Sequence, residues 1–147
     1  MKISIGSDHG GVELKAVLVE ALSSMATMID KGPNDKTSCD YPDFAIEVAK
    51  DVSSLASDFG ILICRSGIGM SMTANRFQNV RAALCATSES AVVTRQHNGA
   101  NVLCLGADVV SAEYAVEIAK AFISTPVDMD PRHARRRSNL ERAGRLK

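Results

Sequence analysis

Aromatic side chains are scarce in this chain. Only 4% of its 147 residues are Phe, Tyr or Trp, and Trp is absent, which leaves little stacking surface for single-stranded nucleic acid. Net charge is missing too. The 17 Lys and Arg balance the 17 Asp and Glu, so no global field draws the chain to nucleic acid or to an anionic membrane. No apolar run reaches the length of a membrane span, and the chain enters a strand pattern at once, without the opening of a secretory leader. The expectation is a cytoplasmic protein with neither nucleic acid nor membrane as partner. Cys39, Cys64, Cys85 and Cys104 show no C-x-x-C spacing, which argues against a zinc site and for free thiols in a reducing compartment. Gly6, Gly10 and Gly11 fall short of G-x-G-x-x-G, Gly67-Ile68-Gly69 lacks the third glycine, and no Walker A lysine follows. Nicotinamide and nucleoside triphosphates are therefore poorly supported, and neither metal nor organic cofactor is expected.

What the chain does have is an alternation of short apolar runs and helical segments. At 46% hydrophobic its 147 residues suffice for one domain with a full core. Strands are predicted at Lys2–Gly6, Thr27–Asp30, Phe59–Cys64, Ala82–Ala86 and Val102–Gly106. Helices are predicted at Val12–Met25, Asp43–Leu55, Met70–Phe77, Ser88–His97, Ser111–Ser124 (with Ser111 as N-cap) and Pro131–Gly144 (opened by Pro131). Right-handed crossovers turn this order into a Rossmann-like three-layer α/β/α fold. Its sheet has five mainly parallel strands, and a basic helix within residues 130–147 forms a C-terminal arm.

One segment carries most of the functional signal. Phe59 to Ile63 is uninterruptedly apolar and stops at Cys64; Arg65, Ser66, Gly67, Ile68, Gly69 and Ser71 follow. A strand of this kind is buried on both faces of a parallel sheet, and reactive groups in such sheets gather where strands end. Glycines let backbone N–H groups approach an anion, and a thiol beside them suits a base or a nucleophile. Asp8 and His9 follow the first strand and so share that edge. Ser71 is placed to cap the helix that follows. Cys85 and Cys104, inside apolar strands, read as packing residues, and Cys39 in a polar loop has no assigned role. Arg132, Arg135, Arg136, Arg137, Arg142 and Arg145 crowd the tail, with Arg132 and Arg136 on one helix face.

Taken in order, several blocks resemble the ribose-5-phosphate isomerase B family, which also includes the subunits of galactose-6-phosphate isomerase. They are Ser7-Asp8-His9-Gly10-Gly11, Asp40-Tyr41-Pro42-Asp43, Cys64 to Ser71, Val80 to Cys85, Gln96-His97-Asn98, Asn101-Val102-Leu103, and Arg132-His133 with Arg136. The resemblance implies a cofactor-free aldose–ketose isomerase working through an enediolate. In that reading Cys64 is the base, since the glutamate that replaces it in some members would stand at Ile68. Ser66 keeps the hydroxyl of the family's Thr. Gly67, Ile68 and Gly69 offer N–H donors to the oxyanion, His97 opens the sugar ring, and Asn98, Tyr41, Asp8 and His9 contact the sugar phosphate. Arg132, His133 and Arg136 grip the phosphate from a partner subunit, which implies a homodimer, with a tetramer as the next assembly.

Two residues depart from the family pattern. Arg65 replaces a small Gly in the thiol loop, and Asp108 stands where an Arg is common. The leading expectation is interconversion of ribose 5-phosphate and ribulose 5-phosphate in carbohydrate metabolism. The alternatives are an isomerase of a six-carbon aldose 6-phosphate of galactose or allose type, and a non-catalytic sugar-phosphate-binding protein.

Overall fold

Every strand pairing in the sheet is parallel, and the order across it is β2-β1-β3-β5-β4. The structure, a computed structural model, describes residues 1–143; the predicted helix end at Gly144 and the tail residue Arg145 lie outside the described residues. The strands are β1 (Lys2–Ser7), β2 (Thr27–Asp30), β3 (Phe59–Cys64), β4 (Ala82–Leu84) and β5 (Val102–Gly106). The helices are α1 (Val12–Leu22), α2 (Tyr41–Ser53), α3 (Ile68–Ala74), α4 (Ser88–Val93), α5 (Ala112–Ser124) and α6 (Pro131–Ala143), with a π-helical turn over Thr94–Asn98 between α4 and β5.

Alternation along the central strands divides the core in two. Ile61 and Ile63 of β3 and Leu103 and Leu105 of β5 join Leu14, Leu18 and Phe122 on the face covered by α1 and α5. Leu62, Cys64, Val102 and Cys104 face the other way, against Val48 and Val52 of α2 and Met70 of α3. Both faces are buried, which is why β3 and β5 read as continuous apolar runs. The chain leaves β1 toward β2 on one side and returns to β3 on the other, so the order reverses between β1 and β3. Ligand sites of open α/β sheets sit at such a reversal, outside the carboxyl ends of the strands.

Several boundaries differ from the prediction for local reasons. α1 ends at Leu22, where Ser23 Oγ donates to the Glu20 carbonyl at 2.8 Å and competes with continuation of the helix. α2 starts at Tyr41 with Pro42 in its first turn, where the missing N–H costs nothing. α3 starts at Ile68 because Gly67 takes a left-handed φ of 75° at the N-cap. Ser71 is thus inside α3, its hydroxyl donating to the Ile68 carbonyl at 2.8 Å, and the expected capping by Ser71 is corrected to Gly67. Ser111 caps α5 as expected, accepting from the Tyr114 N–H at 3.2 Å.

Candidate active site

The carboxyl ends of β1 and β3 assemble one half of the candidate site. The Asp8 N–H donates to the Ile63 carbonyl at 3.0 Å, which seats the Asp8–His9 turn beside the thiol loop. Asp8 Oδ1 accepts from the N–H groups of Gly10 and Gly11 at 2.9 and 3.1 Å, so this carboxylate is largely occupied in shaping its own turn. The Cys64 carbonyl accepts the Ala107 N–H at 2.8 Å and the Arg65 carbonyl accepts the Asp108 N–H at 3.0 Å. Loops after β3 and β5 are thereby locked together.

Cys64 is only 6% exposed, and its Sγ accepts the Gly67 N–H at 3.1 Å. Burial pushes the Cys85 and Cys104 thiols up, which leaves them inert. The bond from Gly67 depends on glycine: a Cβ there would stand 2.6 Å from Leu84 Cδ1 and 2.9 Å from the Leu105 carbonyl, on a backbone with φ +75°. The Ile68 N–H donates to Ser66 Oγ at 3.3 Å. Two of the three loop amides thus have acceptors inside the loop, and the Gly69 N–H, in the first turn of α3, has no intrahelical acceptor. The Tyr41 ring lies over Gly69 so closely that a Cβ on Gly69 would meet it at 2.5 Å.

Arg65 and Asp108, the two departures from the family pattern, meet each other: Arg65 Nη1 lies 3.4 Å from Asp108 Oδ2, with both side chains exposed. They line a cavity of about 410 Å³ together with His9, Gly10, Glu13 and Lys36. The cavity adjoins the thiol loop through Arg65.

The second half stands elsewhere. Cys64 pairs in register with Gly106 at the carboxyl end of β5, whereas Gly60 pairs with Val102 at its amino end. His97 and Asn98 precede that amino end by a short loop, so within one chain they lie toward the opposite edge of the sheet from Cys64, the edges being separated by a rise of roughly 13 Å along β5. The His97 ring stacks on the His133 ring of α6 at 4.1 Å and 7°. His133 is buried, and that burial, with the neighbouring His97 and Arg132 charges, pushes its imidazole below the ordinary histidine range. Arg132 Nε lies 3.3 Å from His133 Nε2 and 3.6 Å from Asp130, and Arg136 is exposed. Asn98 lines a smaller cavity of about 250 Å³ with Arg81 and Leu140. The structure therefore brings Asp8, His9, Tyr41 and residues 64–69 together at one edge and His97, Asn98, Arg132 and His133 at the other.

Three contributors were not visible in the sequence. Arg137 Nη1 donates to the Gln96 and His97 carbonyls at 3.4 and 3.3 Å, but it sits in a run of three arginines that offers no reason to prefer it. Arg95 is buried with its guanidinium over Phe59 and donates to the Ala100 carbonyl at 2.6 Å, bracing the turn that carries His97. The Cys39 N–H donates to His9, a backbone contact no side-chain pattern announces. Among the described residues no group of three or more His, Cys, Asp or Glu is arranged to hold a metal ion, and no helix is long and apolar enough to cross a membrane.

A family model described as ribose/galactose isomerase matches residues 3–140. The chain belongs to that family. It is 42% identical over 123 residues to ribose-5-phosphate isomerase B of Escherichia coli, covering 83% of each chain. The solved structure of ribose-5-phosphate isomerase B from Clostridium thermocellum superposes with a TM-score of 0.95 at 40% identity, covering 99% of this chain and 98% of that one. That of the Mycoplasma genitalium enzyme, solved with bound ribulose-5-phosphate, gives 0.93 at 38% identity, covering 99% and 97%. The expectation of an isomerase with this α/β fold is met by that membership.

Proposed function

We propose that the chain is a sugar-phosphate aldose–ketose isomerase that interconverts ribose 5-phosphate and ribulose 5-phosphate without a cofactor. The observation that carries the chemistry is the Gly67 N–H donated to Cys64 Sγ at the carboxyl end of β3. As a thiolate, Cys64 takes the proton from C2 and returns it to C1, while the O2 hydroxyl proton passes to O1, so that the C1 carbonyl becomes a hydroxyl and C2 the ketone. The electron pair rests meanwhile on the enediolate oxygen, which accepts from the Gly69 N–H in the first turn of α3. Losing one such donor typically removes roughly 3–4 kcal/mol of transition-state stabilisation. Ser66 holds the loop in shape through Ile68, and Asp8, Tyr41, Arg65 and His9 border the sugar. A relative solved with ribulose-5-phosphate supports this substrate.

The site is completed by a second copy. His97 opens the ring as acid–base, Asn98 contacts the sugar, and Arg132, His133 and Arg136 bind the phosphate, all from the partner's amino edge. The separation of His97 from Cys64 within one chain supports this reading. So do the exposed apolar side chains Ile68, Met72 and Leu84 around the thiol loop and Val93 and Leu140 near the other edge, which a homodimer would bury. The test is a coupled assay of the purified protein, without added metal, against aldose 5- and 6-phosphates. Turnover of ribose 5-phosphate is expected; preference for a six-carbon substrate would reassign the substrate, and no turnover of any would remove the enzyme reading.

A further inference from the structure

His9 stands just beyond β1, and its orientation is not set by its neighbour Asp8, whose Oδ1 is held by Gly10 and Gly11. It is set by the loop across from it. His9 Nδ1 accepts the backbone N–H of Cys39 at 3.3 Å, and Cys39 Sγ lies 3.9 Å from the same nitrogen. A backbone amide can only donate, so Nδ1 presents its lone pair and the imidazole proton sits on Nε2. A thiol at that nitrogen is a weak second donor and leaves the assignment unchanged. The loop that presents Cys39 is itself fixed, by the Thr37 N–H on Asp35 at 2.8 Å and by Lys36 on Glu13 at 2.5 Å.

We infer that the Cys39 amide locks His9 in its Nε2–H form, so that His9 meets the substrate as a hydrogen-bond donor to an anionic oxygen and not as a base. A ring that already carries its proton on Nε2 has no lone pair there to accept one. His9 lines the cavity beside Arg65 and Lys36, which are paired there with Asp108 and Glu13, so a donor on Nε2 would add to a lining whose charges already balance. Proton abstraction at this edge then falls to Cys64. The substrate side of the inference rests on the isomerase reading above; the proton's position is a property of the free protein.

The experiment is long-range proton–nitrogen correlation on the full chain labelled with nitrogen-15, the His9 signals being identified by their loss in His9→Gln. Wild type is expected to show a pyridine-like Nδ1 and a pyrrole-like Nε2 for His9; the reverse pattern overturns the inference. Cys39→Ala keeps the backbone N–H and should leave the pattern unchanged. Cys39→Pro removes the N–H and should move His9 to a mixture of forms, whereas an unchanged pattern in a folded Cys39→Pro protein would show that the amide decides nothing. Inorganic phosphate and a phosphate-free hydroxamate then distinguish the oxygen served. A shift of Nε2 with the first names the phosphate, a shift with the second names the enediolate, and no shift with either removes the donor role. Should no aldose phosphate turn over, the nitrogen pattern still decides the form of His9, so the two readings fail separately.

Discussion

The two edges of the sheet offer different kinds of group to a ligand. At the carboxyl edge, the groups nearest Cys64 are backbone amides: Gly67 donates to the sulfur, and Gly67 and Gly69 are the residues whose missing Cβ lets Leu84, the Leu105 carbonyl and the Tyr41 ring close in. At the amino edge the groups are side chains. His97 and His133 stack, Arg132 joins His133, and Arg137 and Arg95 hold the backbone beneath them. A backbone donor cannot be deleted by changing a side chain, and it carries little conformational entropy. A side-chain cation offers full charge and reach at the cost of freezing rotamers. The carboxyl edge thus suits a reacting atom whose geometry must not vary, and the amino edge suits capture of a phosphate.

The largest expected effect tests whether the two edges belong to one site. Cys64→Ala should reduce turnover by at least the 10² to 10⁴-fold that a general acid–base group contributes, with the fold and most substrate affinity retained. Turnover equal to wild type would end the thiol mechanism. Arg136→Ala should instead raise KM by about ten- to hundredfold, the equivalent of a charge-assisted contact, with kcat less affected. Mixing and re-equilibrating the two variants sharpens the comparison. About half of the randomly paired dimers would carry one intact site, and, assayed with substrate well below the raised KM of Arg136→Ala, activity should exceed the sum of the two variants if the edges meet across an interface. No recovery would show that they act within one subunit or not at all.

The next effect falls on the carboxyl edge alone. Gly67→Ala forces a Cβ against Leu84 and the Leu105 carbonyl at a left-handed φ, and should cost about 2 kcal/mol or more, read as a fall in Tm together with loss of activity. Cys85→Ala removes a buried sulfur from the core beside the site and should cost on the order of 1 kcal/mol, with activity per folded molecule unchanged. A loss of turnover in Cys85→Ala would mean that Cys64 is not the thiol that matters.

The smallest effect belongs to the amino edge. The folded His133 imidazole is held below its ordinary value, burial being the main cause, so the folded state binds the proton less readily than the unfolded chain. The stability this contributes is fully present above about pH 6.5, the ordinary histidine value, and is lost as pH falls below it toward the depressed value. Tm should therefore decline on mild acidification, and His133→Asn should flatten that decline. An identical slope in the variant would show that another group carries it.

Much of the fold was legible because local and global preferences agree. The runs at residues 59–64 and 102–106 are apolar throughout because both faces of a central strand are covered, and their observed limits match the predicted ones. Ser111 and Pro131 mark helix starts by chemistry that needs only the adjacent backbone. The boundary at α3 was not legible, since Met70 looks like the first helical residue until Gly67 is seen to take φ 75° and begin the helix earlier. The π-helical turn at residues 94–98 was likewise hidden within what reads as a continuous helix from Ser88.

The candidate site divides in the same way. By itself the sequence determined the reactive inventory: a thiol ending an apolar strand, glycines after it, an Asp-His turn after the first strand, and an arginine pair four residues apart on the last helix. Those are consequences of residue type and short-range periodicity. Only the tertiary structure decided which of them can meet. Parallel pairing puts the ends of β1 and β3 at one edge and the turn before β5 at the other, so His97 and Cys64, although both marked by the same family pattern, are separated by the length of a strand. It also decided that Arg65 faces Asp108 and that the Cys39 amide faces His9. These are contacts between segments about thirty to forty residues apart, set by chain path and packing and so absent from any local pattern.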